Sequence, residues 1–345
     1  MAYTTINKST SYFNTKLYTG NGSTQSITGV GFQPDWLWIK SRGSTGNHRA
    51  HDVVRGVDKQ LYPNLTNVEY TYSPNTGVTS FDSDGFSLGN DAGQNTNNET
   101  YAAWNWKAGG TGSANTAGTI NSTVSANTTA GFSIVSYTGT GANATVGHGL
   151  GAAPAFYMVK SRNNAYDWRC YHQSLGNGKY IDLNGTGGAA TNSNAWNNTS
   201  PTSTVFSLST GSTPNANGGT FVAYCFAEKP GFSKFGKYTG NGNGNGSFVY
   251  TGFRPAMLII KNYTNGTGDP SIMYDDKRIG YNPNNNVLEG ANNNAEASSD
   301  RIDILSNGFK LRYNWTPINK SGDTYIYMAF GQSLVGSNNI PCTAR

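Results

Sequence analysis

The chain has 345 residues, of which 12% are charged, 36% apolar and 12% aromatic, with a formal net charge of +5. A charged fraction about half that of an ordinary soluble protein, without any basic run, excludes a nucleic-acid groove and a basic membrane-surface patch. The 7 Trp, 21 Tyr and 15 Phe supply much buried area per side chain, so a core can form and disorder of the whole chain is excluded.

Residues 1–15 carry neither the basic n-region nor the apolar segment of a signal peptide, and no apolar run approaches bilayer length. The chain is therefore expected to be made in a cytoplasm, to stay soluble and to insert in no membrane. This leading arm reads as a docking segment. A phrase then begins at Tyr18-Thr19-Gly20-Asn21-Gly22, passes Pro34 and ends an apolar run at Lys40. It returns at Tyr137 to Gly141 with Pro154 and Lys160, and at Tyr238 to Gly242 with Pro255 and Lys261. Each copy closes alike, at Thr100 to Trp106, Thr220 to Phe226 and Thr324 to Phe330. Between opening and closing lies Gly-Phe-x-Leu, at Gly85 to Leu88 and Gly308 to Leu311, reduced to Val205-Phe206-Ser207-Leu208 in the middle copy.

A unit of about one hundred residues far exceeds the 20–50 of a solenoid repeat and is large enough for a core of its own. Helical periodicity is nearly absent, and glycine, proline and asparagine punctuate the chain. The post-proline runs Trp36–Ile39, Phe156–Val159 and Met257–Ile260 read as strands buried on both faces, and the alternating closing segments as half-buried strands. The predicted fold is all-β: three tandem homologous β-sandwich modules, jelly-roll or concanavalin-like, at 16–107, 131–228 and 233–334. A propeller of three blades would be too small to close. Residues 108–130, with Ile120 and Val124 as their large apolar residues, read as a flexible linker that lets the first module sit apart. The short join at Lys229 to Phe232 predicts rigid packing of the second and third modules. Residues 335–345 form a C-terminal tail and a second docking candidate.

Few constellations carry chemistry. Asp82-Ser83-Asp84-Gly85 begins like a calcium loop but lacks its later ligands, and the other copies do not repeat it. His48 and His51 beside Asp52 lack a third ligand nearby and read as a surface loop; His172 stands at the place of Asp52 in the second copy, and His148 in a Gly-rich turn. Asp275, Asp276, Glu289, Glu296 and Asp303 are too scattered to define a glycosidase pair and read as solvated loop charges. Gly240 to Gly246 reads as hairpin turns rather than a phosphate loop. Cys170, Cys225 and Cys342 occupy non-equivalent places, so structural disulfides are not expected. No catalytic residue, metal site or cofactor follows from these patterns. Aromatics in Asn- and Thr-rich loops carry binding meaning, because a ring stacks on a sugar face while amides meet its hydroxyls. Trp196 with Asn197, and Trp315 with Asn314, are the candidate ligand-binding residues; Trp36, Trp38, Trp104 and Trp106 read as packing residues.

The phrases Tyr-Thr-Gly-x-Gly, Gly-Phe-x-Pro with its run to lysine, and Gly-Phe-x-Leu resemble a repeat family of virion proteins from tailed phages of marine and cyanobacterial hosts. The likeness covers the chain to about residue 334. It implies a concanavalin-like or jelly-roll sandwich displayed on a particle, with other virion proteins as partners and no assigned catalytic residues. The expected function is that of a non-enzymatic tail-fibre or receptor-binding component that contacts host surface glycans, assembled as a homo-oligomer with a trimer favoured. A capsid decoration protein is the alternative, and a polysaccharide depolymerase the third reading.

Overall fold

The computed structural model describes residues 4–264, 268–279 and 281–333. The first repeat contains β1 (Phe13–Thr19), β2 (Gln25–Thr28), β3 (Trp36–Ser41), β4 (Arg49–Asp52), β5 (Gly56–Leu61), β6 (Tyr70–Thr71), β7 (Val78–Asp82), β8 (Gly85–Leu88), the helical turn α1 (Ala92–Asn95) and β9 (Thr100–Trp106). There follow β10 (Ser113–Asn115), β11 (Ser122–Asn127), β12 (Phe132–Thr138), β13 (Ala144–Gly147), β14 (Phe156–Ser161), β15 (Arg169–His172), β16 (Lys179–Asp182), β17 (Ala190–Thr191), α2 (Ser193–Trp196), β18 (Val205–Leu208), α3 (Ser212–Asn215) and β19 (Thr220–Phe226). The third repeat contains β20 (Ser233–Thr239), β21 (Phe248–Tyr250), β22 (Phe253–Asn262), β23 (Ile272–Asp275), β24 (Asn284–Glu289), β25 (Ala297–Leu305), β26 (Gly308–Leu311), α4 (Thr316–Asn319) and β27 (Thr324–Ser333). The protein is all-β, as predicted.

One strand order occurs three times. The inner sheets run β1-β9-β3-β4-β5-β6, then β12-β19-β14-β15-β16-β17, then β20-β27-β22-β23-β24, so the closing strand always lies between the opening and post-proline strands. Outer sheets cover them: β2-β8-β7 in the first repeat, β13-β18 in the second and β25-β26-β21 in the third, where β24 and β25 join the two layers into one sheet.

The alternation of side chains along each inner strand divides the core. On β3, Leu37 and Ile39 face a cluster private to the first repeat, with Tyr18, Phe86 and Tyr101. Tyr157 and Val159 do the same in the second repeat, and Leu258 and Ile260 in the third. The opposite faces, Trp36 and Trp38, Phe156 and Met158, and Met257 and Ile259, meet in one central cluster shared by all three repeats. Continuous apolar runs arise because each inner sheet is buried on both sides. The closing strands, expected half-buried, are buried on both faces as well: Trp104 and Trp106 face the centre while Tyr101 and Ala103 face the private core. The first repeat therefore does not sit apart.

The stretch 108–130 also departs from expectation. β10 and β11 extend the second inner sheet beyond β12, and Ile120 and Val124 are buried in the second private core. Ladder hydrogen bonds satisfy a backbone that would otherwise stay solvated, and the glycines let it pack closely: a Cβ on Gly109 would collide with the Ala126 carbonyl oxygen, and one on Gly118 with that of Thr145. The leading arm docks within its own chain. Ile6 enters the central cluster, the Ser9 amide donates to Gln332 Oε1 at 2.8 Å, and β1 begins at Phe13, ahead of the expected boundary. The tail 335–345, with Cys342, lies outside the described residues.

Candidate functional site

The features that recur in all three copies build the scaffold. The opening tyrosine of each copy donates its hydroxyl at 2.7 Å to a backbone carbonyl of the helical turn: Tyr18 to Gln94, Tyr137 to Pro214 and Tyr238 to Ile318. The next residue is a buried asparagine, Asn95, Asn215 or Asn319, which pins the Gly-x-Gly loop. Its Oδ1 accepts from the amide of Asn21, Thr140 or Asn241, and its amide group donates to the carbonyl of Gly89, Ser209 or Tyr313. Sequence reasoning missed these asparagines, although each stands five residues before the closing strand.

The repeats join head to tail in a closed ring. The Glu69 amide donates to the Arg162 carbonyl, Ala189 to Tyr263, and Glu296 to Arg42, which links first to second, second to third and third to first. At the first joint, Asp52 takes bonds from Arg55 and from the Tyr224 hydroxyl, and Glu69 bridges Arg55 to Arg162. At the third-to-first joint Asp275 takes Arg278 and the Trp104 indole, and Glu296 bridges Arg278 to Arg42. The second-to-third joint replaces every member: His172 for the aspartate, Leu175 for the arginine, Ala189 for the glutamate, Tyr263 for the second arginine and Met328 for the ring donor. A small apolar cavity of about 30 Å³ remains there, lined by Phe156, Cys170, His172, Lys261 and Met328 among others. The post-proline lysines are part of the joints. Lys160 reaches the Thr66 carbonyl at 2.9 Å and Lys261 the Gly185 carbonyl at 2.7 Å, and burial lowers Lys40, Lys160 and Lys261 to about 8.

These joints account for the histidines and carboxylates considered in sequence. His48 and His51 are fully buried rather than in a surface loop. His48 Nδ1 accepts from the Trp38 indole at 2.8 Å and its Nε2 meets the Glu289 carbonyl, while His51 meets Gln94. Burial pushes both down to about 3, so both are neutral. The third-repeat acids are engaged rather than solvated: Asp275 and Glu296 in the joint, Asp276 with Arg254, Glu289 with Asn292 and Asn294, Asp303 with Arg312. Asp84 accepts from the amides of Gly29 and Gly31, and Asp82 from the Ser87 hydroxyl. Cys170 and Cys225 are free, buried thiols.

The four residues expected to bind a glycan fare differently. Trp196 is fully buried against Tyr157 and Tyr171, with its indole N–H on the Lys179 carbonyl, and cannot stack on a sugar. It belongs to α2, whose apolar side faces the private core. Asn197 is exposed and ends that turn in the left-handed region, φ 52°, the conformation asparagine tolerates best. Trp315 is half-buried at the edge of the third private core, and Asn314 is exposed beside it.

Around Trp315 the third repeat differs from its sisters. Register and the helical turn align Phe248 with Ser26 and Thr145, Tyr250 with Thr28 and Gly147, Tyr313 with Gly89 and Ser209, and Trp315 with Asp91 and Gly211. The fold thus accepts small or polar residues at all four places. Phe248, Tyr250 and Tyr313 are 46%, 52% and 50% exposed. The Arg301 guanidinium lies 4.0 Å from the Trp315 ring centre and 4.9 Å from that of Tyr313, and Lys234 Nζ lies 5.3 Å from the Tyr250 ring. Across the outer sheet, Phe248 stands opposite Lys310 and Lys310 opposite Asp303. The rings occupy the solvent side because Val249, Phe309 and Leu311, alternating with them, fill the core.

Fold and site together define an all-β protein of three two-layered repeats around one core, with an aromatic and cationic face on the third. The chain belongs to the family described as Domain of unknown function (DUF7483), whose match spans residues 8–333 and so takes in all three repeats. No curated protein matches it.

Proposed function

We propose that this protein is a non-enzymatic virion surface component, a tail-fibre or receptor-binding protein that contacts host surface glycans through the outer face of the third repeat. The carrying observation is the set of rings Phe248, Tyr250, Tyr313 and Trp315, which stand where the sister repeats need no ring. Exposed rings beside amides such as Asn314 suit pyranose faces. The virion setting rests on the repeat phrases. Replacing Phe248→Ser, Tyr250→Thr and Tyr313→Ser, residues that a sister repeat carries, tests the reading: adsorption of the purified protein to host cells should fall at least tenfold with the unfolding midpoint unchanged. Undiminished adsorption would remove this face from the reading.

The closed ring favours a second reading. One chain arranges three like units around a common core, the arrangement that a fibre otherwise builds from three chains. Such a unit suits a single copy seated on a three-fold position of a capsid lattice, which is the decoration role. Copy number and position in intact particles, by cryo-electron microscopy and quantitative mass spectrometry, separate the two: a few copies at the tail support the adhesin, hundreds on the head the decoration protein.

A further inference from the structure

We infer that the ligand of the third repeat's outer face is an acidic polysaccharide, one whose sugar rings carry carboxylate or sulfate groups. This rests on the glycan-contact reading above and narrows it to a chemical class. The cations of the face, like its rings, stand where the sister repeats carry other residues. Arg301 precedes Ile302, which pairs with Leu311 as Val78 pairs with Leu88, so Arg301 stands where the first repeat has Gly77. Lys310 stands where the sisters have Ser87 and Ser207. Arg312 is an additional residue: eight positions separate Leu311 from Asn319, against seven from Leu88 to Asn95 and from Leu208 to Asn215. Neither sister repeat brings a cation to these three positions.

Among the described side chains of this face, the carboxylate is Asp303, 3.4 Å from Arg312. Lys310 Nζ donates to the Gly246 carbonyl at 2.9 Å and Lys234 Nζ to that of Tyr250 at 3.2 Å, bonds that hold the ammonium groups in place and leave their charge unneutralised. The Arg301 guanidinium carbon lies 4.0 Å from the Trp315 ring centre, and its buried Nε lacks a hydrogen-bond partner among the described residues. A guanidinium beside a ring keeps its positive charge, and its terminal N–H groups match the oxygens of a carboxylate or sulfate. A polysaccharide lying along the face would place pyranose rings on Phe248, Tyr250 and Tyr313 and its acid groups on Arg301, Lys310 and Arg312. Neutral glycans would use the rings alone.

The test is binding of the intact protein, by biolayer interferometry, to a panel of uronate-, sialate- and sulfate-bearing polysaccharides together with their carboxyl-reduced or desulfated counterparts. The uronate and sulfate arms distinguish the two sources of negative charge. At least one acidic member should bind ten-fold or more tightly than its neutral counterpart, with affinity falling as salt rises, and Arg301→Gln or Lys310→Ser should each cost several-fold while leaving the melting curve unchanged. Equal binding of acidic and neutral forms would overturn the inference and leave the glycan-contact reading standing. Acidic binding that survives Phe248→Ser with Tyr250→Thr and Tyr313→Ser would overturn it too, as non-specific charge attraction. Failure of every panel member, with host adsorption untouched by the ring variants, would overturn both.

Discussion

At the scale of the residue, the buried arginines of the joints have the largest predicted effects. Arg55 is enclosed by Asp52, Glu69, the Ala50 carbonyl and Tyr224, and removing it leaves a buried carboxylate without its counter-charge. Arg55→Leu should lower stability by about 3–5 kcal/mol in denaturant titration. Exchanging the whole set for the second joint's His, Leu, Ala, Tyr and Met should cost far less, since an apolar replacement strands no charge. Histidines set the pH response. His48 and His51 lie at about 3 and His172 at about 4, in each case chiefly through burial, so their folded values are below the ordinary 6.5. Between those values the unfolded chain binds more protons, and stability falls on acidification by about 1.4 kcal/mol per pH unit for each histidine. Asp182, raised by burial to about 6, and Asp35, also raised by burial, act in the opposite sense, while burial lowers His148 like the other three histidines, so two groups stand against four. The urea midpoint should therefore drop clearly between pH 7.5 and 5; a flat profile would contradict neutral buried histidines.

At the scale of the element, β11 and β21 show how context overrides composition. β11 is Ser-Thr-Val-Ser-Ala-Asn, a stretch that reads as coil, yet it pairs along its length with β12 and buries Val124. Val124→Asp should destabilise the protein by about 3 kcal/mol or more, because the charge would enter a closed core. A flexible linker would tolerate the change and be cut readily by protease, whereas 108–130 should resist it. Gly-Phe-x-Leu is legible for a physical reason: a Cβ at Gly85 or Gly308 would collide with the carbonyl oxygen of Ile27 or Val249 across the outer sheet. In the middle copy Val205 replaces the glycine, and the glycine of that pair, Gly147, stands on the partner strand. β21 was not legible as a site, since Phe248 and Tyr250 alternate like any half-buried strand. Their exposure follows from which layer β21 joins and which side of it Val249 fills.

At the scale of the whole molecule, three private cores and one shared core imply that no repeat can unfold without exposing the centre. Calorimetry should show one cooperative transition, and Trp36→Ala, which opens a void among Trp38, Trp106 and Tyr224, should lower that single transition by about 3–5 kcal/mol. Three separate transitions would restore the picture of tandem independent modules. The second-to-third joint, where His172, Leu175, Ala189, Tyr263 and Met328 replace the ionic set, has the shortest covalent connection and differs from the other two, whose ionic joints carry a long connection or none. The third-to-first joint is closed by side chains, by the backbone bond from Glu296 to Arg42 and by the leading arm rather than by a linker.

The sequence by itself determined the triplication, the β class and the doubly buried post-proline strands, because those depend on local pattern: glycine where backbones touch, the opening tyrosine of each copy, unbroken apolar runs where both faces are covered. Tertiary structure alone decided that the repeats share a centre, that 108–130 is sheet, that Trp196 is core and that His48 and His51 are buried. It also decided which rings reach solvent. The reason is that exposure and pairing belong to the neighbours a residue meets after closure of the ring, and those neighbours can lie more than three hundred residues away, as Ser9 and Gln332 do. What the copies share holds the fold together, and the rings that the third alone carries at Phe248, Tyr250 and Tyr313 face solvent.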